Sequence, residues 1–148
     1  MTLTHLMPSL RRSIPDPLDL RRWPAHTHAT VDDVVVEGVS LGRLAGWCGT
    51  PCVHTRDSSA VVVVRIESVE LRADGALDVW VDAELHHCAA VLAEARLIGR
   101  SSTVGDRRVA LRPATDPAPD ASLPGDVRAG DLLVVPCADV VRLRDVVR

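Results

Sequence analysis

Val61-Val-Val-Val-Arg-Ile-Glu-Ser-Val-Glu-Leu71, Arg72-Ala-Asp-Gly75 and Leu77-Asp-Val-Trp-Val-Asp82 decide how this chain folds. The first segment is apolar on both faces for half its length and then alternates. That pattern is expected of a strand that starts in a core and emerges at a sheet edge. Arg72 to Gly75, with Asp-Gly inside it, reads as a hairpin turn, because glycine supplies the positive φ that such turns need. Leu77 to Asp82 alternates cleanly and is expected to return antiparallel.

Working outward, Val31-Asp-Asp-Val-Val-Val-Glu37 reads as a β-branched strand closed by Gly38. Ser40 is placed to cap a short helix from Leu41 to Trp47, with Leu41, Leu44 and Ala45 on one face. Gly49-Thr-Pro51 stops it, since proline cannot continue a helix and restricts the residue before it. Cys52 to Thr55 reads as a short strand, and Arg56 to Ala60 as a polar turn. Glu84 to Glu94 reads as a short helix or a loop. Ala95–Arg100 and Arg108–Arg112 read as strands, and 113–124, with four prolines, as a loop. Gly130–Pro136 reads as a strand and Val140–Val147 as a final strand or short helix. Residues 1–30, broken by Pro8, Pro15 and Pro17, read as an irregular leader draped over a single β domain at 31–148. Short strands with turn chemistry between them predict a mainly all-β fold, a small barrel or sandwich with one short helix.

The 148 residues are enough for a core without disulfide or metal staples. Tyr, Phe and Lys are absent, all 17 basic residues are Arg, and the aromatics are Trp23, Trp47 and Trp80. The Arg-for-Lys, Ala/Val-rich bias reads first as a GC-rich coding sequence. It has one chemical consequence: without lysine, no internal aldimine to pyridoxal phosphate forms on this chain. A net charge of −3 argues against nucleic acid as a partner, which requires a concentrated basic surface. Arg11, Arg12, Arg21 and Arg22 read as a solvated tail or as surface salt-bridge partners. No run approaches the ~18 apolar residues of a membrane span, and the N-terminus lacks a signal-peptide pattern. A cytoplasmic protein with reduced cysteines is therefore expected.

Three stretches together resemble the β domain of the fold-type III pyridoxal-phosphate decarboxylases, diaminopimelate decarboxylase above all. Val36-Glu-Gly-Val-Ser-Leu-Gly-Arg-Leu-Ala-Gly-Trp-Cys-Gly-Thr-Pro51 is similar to that family's opening strand, short helix and Gly-Thr-Pro turn. Leu97-Ile-Gly-Arg100 with Gly105-Asp106 is similar to the strand and active-site turn of its C-terminal domain. Leu123-Pro-Gly-Asp-Val-Arg-Ala-Gly-Asp-Leu-Leu-Val-Val-Pro136 is similar to its Gly-Asp-Leu-Leu strand and lead-in. The resemblance implies a β domain from which the α/β barrel is missing, since Thr55 runs almost directly into Val61. It implies loss of the parent chemistry too. Ser102, Thr103 and Val104 stand where the family has Cys-Glu-Ser, and Val141 falls near its phosphate-contacting tyrosine.

Other candidate sites are sparse. Glu84, His86, His87 and Cys88, with Cys48, Cys52 and His54, include the ligand types zinc prefers, but their spacing is not that of zinc ribbons or fingers. No metal and no cofactor is expected. Cys88 beside His87 is the one sequence-local nucleophile–base pair, and adjacency rarely gives the required geometry. Cys137 reads as an inert core thiol. Ser101, Ser102 and Asp106 read either as a ligand-pocket lining or as a polar turn facing solvent. Trp80 reads as an outward interface anchor, or as a ring covered by the leader. The expected function is that of an accessory protein that supports a partner enzyme, in a bacterial biosynthetic pathway, or self-associates. The alternative is a small enzyme or ligand-binding protein using the vacated cleft, with His86, His87, Cys88, Ser102 and Asp106 as its site.

Overall fold

The chain is seen in a computed structural model, which describes residues 2–113 and 120–148. It opens with a short helix, α1 (Leu3–Leu6), and a 3-10 turn (Pro8–Arg12). Three short strands, β1 (Thr27–Ala29), β2 (Val34–Val36) and β3 (Val39–Ser40), form one small antiparallel sheet. Helix α2 (Leu41–Cys48) follows directly. The remaining strands are β4 (Cys52–Arg56), β5 (Ser59–Leu71), β6 (Leu77–Val81), β7 (Arg96–Ile98), β8 (Asp106–Arg112), β9 (Asp120–Pro124) and β10 (Leu132–Cys137). They make a second sheet in the order β7-β10-β5-β6-β8-β9, with β4 paired to β5. This sheet is a nearly closed barrel, and its two end strands, β7 and β9, pack against each other. No helix among the described residues is long and apolar enough to cross a membrane.

β5 is the spine, as its sequence predicts. Its first half lies between β10 and β4, with Val63 opposite Val134 on one side and Cys52 on the other. Past an irregularity between Ile66 and Ser68 it pairs with β6 instead. Side chains alternate across a strand, so the two faces of β5 feed different cores. Ala60, Val62, Val64 and Ile66 point into the barrel with Leu77, Val79, Val109, Leu111 and Leu133. Val61 and Val63 point the other way, onto Trp23, Val34, Val36, Leu41, Ala45 and Ile98. The leader, the small sheet and α2 are thus the second layer that makes a doubly apolar strand stable.

α2 begins where its cap requires. The Ser40 hydroxyl accepts from Arg43 N at 3.2 Å, satisfying one of the free donors of the first turn. Asp33 supports the same corner, accepting from Gly42 N at 3.0 Å and from the Ser40 hydroxyl. The β5–β6 turn closes with Arg72 N donating to Ala76 O at 2.8 Å. Gly75 there has φ of 86°, a conformation that costs other residues strain.

The structure differs from the sequence reading at several points. Residues 1–30 are not irregular throughout: α1, the 3-10 turn and β1 lie there. Arg11, read as part of a solvated tail, is 4% exposed and Trp23 is buried. The strand expected at 31–37 is cut to Val34–Val36, because Asp33 turns its carboxylate back onto Val34 N at 2.8 Å and onto the α2 corner. β9 occupies 120–124, in the proline-rich stretch read as a loop, and pairs along β8; 114–119 lie outside the described residues. Two open readings are resolved: 84–94 is the loop alternative with one 3-10 turn at Leu92–Glu94, and the C-terminal segment is the short-helix alternative, a 3-10 turn at Leu143–Asp145.

Candidate functional site

The turn between β7 and β8, residues 99–105, is built by side-chain hydrogen bonds. Arg100 grips Asp131 with Nε at 2.9 Å and Nη2 at 2.7 Å, and reaches Asp126 with Nη1 at 3.2 Å. The bidentate geometry is the strong form of this pairing, and it raises the Arg100 pKa further, chiefly through Asp131. The Ser102 hydroxyl donates to Asp126 Oδ1 at 2.6 Å and accepts from Val104 N at 3.1 Å. Burial by itself raises the Asp126 carboxyl, but Ser102 and Arg100 outweigh it and hold the group below the ordinary aspartate value.

The leader is pinned onto this turn. Arg11 Nη1 donates to Val104 O at 2.8 Å, Nη2 to Asp106 Oδ1 at 2.8 Å, and Nε pairs with Asp16 at 3.1 Å. His5 Nε2 lies 3.2 Å from the other Asp106 oxygen. Between leader and turn is a cavity of about 170 Å³, whose lining includes His5, Arg11, Asp16, Glu94, Arg96, Ser101, Ser102 and Asp106. Ser102 is buried and Asp106 is held by Arg11. Ser101, Ser102 and Asp106 thus line the cavity, while Thr103, Val104 and Gly105 of the same turn face solvent.

Arg96 differs from the other two arginines of the pocket. Its Nη1 donates to the carbonyl of Asp16 at 3.0 Å, and among the described residues no carboxylate oxygen lies within 4.0 Å of it. The nearby carboxylates are engaged elsewhere, Asp16 by Arg11 and Glu94 by Trp23 Nε1 at 2.9 Å. Burial lowers the Arg96 pKa, against the pull of Asp16 and Glu94.

The remaining sequence candidates are dispersed. His86 and His87 are exposed, with ring centroids 3.9 Å apart and His86 Nδ1 at 2.9 Å from Glu84. Cys88 turns the opposite way into the core, donating to Leu85 O at 3.1 Å. Cys88 and His87 thus form no nucleophile–base pair. Cys88 meets Cys137, and their hydrogen bond lowers the Cys88 pKa and raises that of Cys137. Both are free thiols, as are exposed Cys48 and buried Cys52, whose pKa burial pushes up to about 11. His54 Nε2 is buried without a hydrogen-bond partner. Among the described residues no three His, Cys, Asp or Glu side chains come together to hold a metal ion.

A second feature lies along β4, which pairs with β5 alone among the described strands. Cys48, Pro51, Val53, Thr55, Val141 and Leu143 line a shallow groove beside it. At the end of α2, one residue before Cys48 of this groove, Trp47 is 79% exposed, whereas Trp80, read from sequence as an outward anchor or a covered ring, is 37% exposed. Trp47 was legible in principle, since it lies off the Leu41, Leu44 and Ala45 face. Arg11 and Arg96 carried no local signal, because both contact partners distant in sequence. No family model matches the chain, and no curated protein matches it.

Proposed function

We propose that this protein is a decarboxylase-like β domain without decarboxylase chemistry of its own, acting as an accessory protein that docks on a partner enzyme. The observation that carries this reading is Trp47, a large ring left 79% exposed at the end of α2, one residue before Cys48 of the apolar groove along the edge strand β4. Solvent-exposed tryptophan next to a concave apolar surface is the composition of an interface centre, where such residues dominate binding energy. The resemblance adds a reason for the location: the groove borders β4, the strand that would lead into the missing barrel. The candidate pair Cys88 and His87 also does not assemble, which favours support over catalysis at His86, His87 and Cys88.

The test is co-expression with the enzymes encoded by neighbouring genes, followed by assay of each enzyme with and without this chain. Dependence of one enzyme on the chain, lost in Trp47→Ala, is the expected result. If every neighbouring enzyme is fully active alone, the accessory reading is wrong.

A further inference from the structure

Two of the four cysteines are brought together from distant parts of the chain. Cys137 ends β10, and its neighbours on either side are stitched to the loop that carries Cys88. Val91 N donates to Pro136 O at 2.8 Å, Ala138 N donates to Ala89 O at 3.1 Å, and Ala90 stands opposite Cys137 as a β-bridge partner. Cys88 immediately precedes this stitch, and both residues are buried in the barrel core. The Cys88 thiol donates to Leu85 O at 3.1 Å and accepts from the Cys137 thiol. A cysteine kept only to fill a core needs no second sulfur beside it, because it packs as a small hydrophobe. The pair is also within reach of a small solute. Cys137 lines a surface pocket of about 610 Å³, with Trp23, Pro24, Ser58, Val91 and Ala138 around it.

We propose that Cys88 and Cys137 are a modification site, a thiol pair that hydrogen peroxide converts reversibly to an intramolecular disulfide. Peroxide is small enough to enter the pocket, and it accepts the two electrons that the change releases. Cys88 reacts first, since the hydrogen bond from Cys137 favours its thiolate. Its sulfur attacks one peroxide oxygen, the O–O bond breaks, and water departs to leave a sulfenic acid on Cys88. The Cys137 sulfur then attacks the Cys88 sulfur, the S–O bond breaks, and a second water carries off the Cys137 proton. Two thiols are oxidised to one disulfide, and one peroxide is reduced to two waters. The new bond fastens the loop bearing exposed His86 and His87 to the end of β10.

The test is to treat the folded chain with hydrogen peroxide, denature it in iodoacetamide and digest it with trypsin. Trypsin cuts after arginine, so Cys88 falls in residues 73–96, Cys137 in 129–142, and Cys48 with Cys52 in 44–56. The expected product is 73–96 joined to 129–142, lighter by two hydrogens than the separate thiols and parted again by dithiothreitol. Cys88→Ser and Cys137→Ser should each abolish the joined product, and Cys48→Ser should keep it. Full alkylation of Cys88 and Cys137 at a peroxide dose that oxidises exposed Cys48 overturns the proposal. So does a sulfinic acid on Cys88 with no link to Cys137, or a link that forms only in urea. The wild-type digest decides the matter even if a core variant does not fold.

Discussion

Asp33, Ser40 and Asp126 show how single side chains hold the turns of this protein. Asp33 and Ser40 together satisfy the start of α2, through Gly42 N and Arg43 N. Ser40→Ala should cost about 1 kcal/mol of stability, measurable as a lower urea midpoint with an unchanged slope. The cap was legible in the sequence, because serine before an apolar helical period is a local signal. Asp33 was not, because its partner Gly42 lies nine positions on. Asp126 carries a pH dependence. Its folded pKa is depressed below that of the unfolded chain, so its contribution is present above the unfolded aspartate value and is lost as pH falls through the folded one. Wild-type protein should lose stability as pH drops below about 4. In Asp126→Asn the contribution is absent at every pH, so thermal melts should fall less steeply over that acid window.

At the scale of elements, β5 explains the most. The doubly apolar run Val61 to Val64 predicted a strand buried on both faces, and each of these valines is fully buried. The alternation of Leu77 to Asp82 likewise predicted the antiparallel return of β6. Periodicity does not report which strands become neighbours across long separations. The parallel pairing of β6 with β8 and the strand β9 were thus invisible to it. In β9 the prolines outweighed the apolar residues, although β9 is the end strand of its sheet's order, where proline is tolerated. Val63 contacts the second core while its neighbours on β5 face the barrel. Val63→Ala should destabilise by roughly 1.5–3 kcal/mol, and should raise the accessibility of Trp23 to an aqueous quencher more than Val62→Ala does.

The whole molecule is a nearly closed β-barrel with its own N-terminal segment laid over one side. That segment buries Arg11 and Trp23 and covers the second face of β5. The second apolar face of β5 is therefore covered from within the chain. Freeing the leader should be possible with one substitution: Arg11→Ala removes the contacts to Val104, Asp106 and Asp16. A loss of roughly 1.5–3 kcal/mol is expected, with faster limited proteolysis between residues 12 and 26. The leader's grip was not legible in the sequence, since an arginine cluster in an arginine-rich chain looks like a solvated tail. The same limit hid the pocket. Ser102 and Asp106 were singled out from the turn, but Arg11 reaches it from the leader, and the partner of Arg96, Asp16, lies 80 positions away.

The proposed accessory role rests on one exposed surface, that of Trp47, β4 and Leu143. The most direct measurement is a native mass spectrum of this chain co-expressed with the products of its neighbouring genes, beside the same experiment with Trp47→Ala. The account predicts a stoichiometric complex with one enzyme for the wild-type chain, and its dissociation in the variant. A wild-type chain that flies free of every neighbouring product, or a complex indifferent to Trp47→Ala, would contradict it.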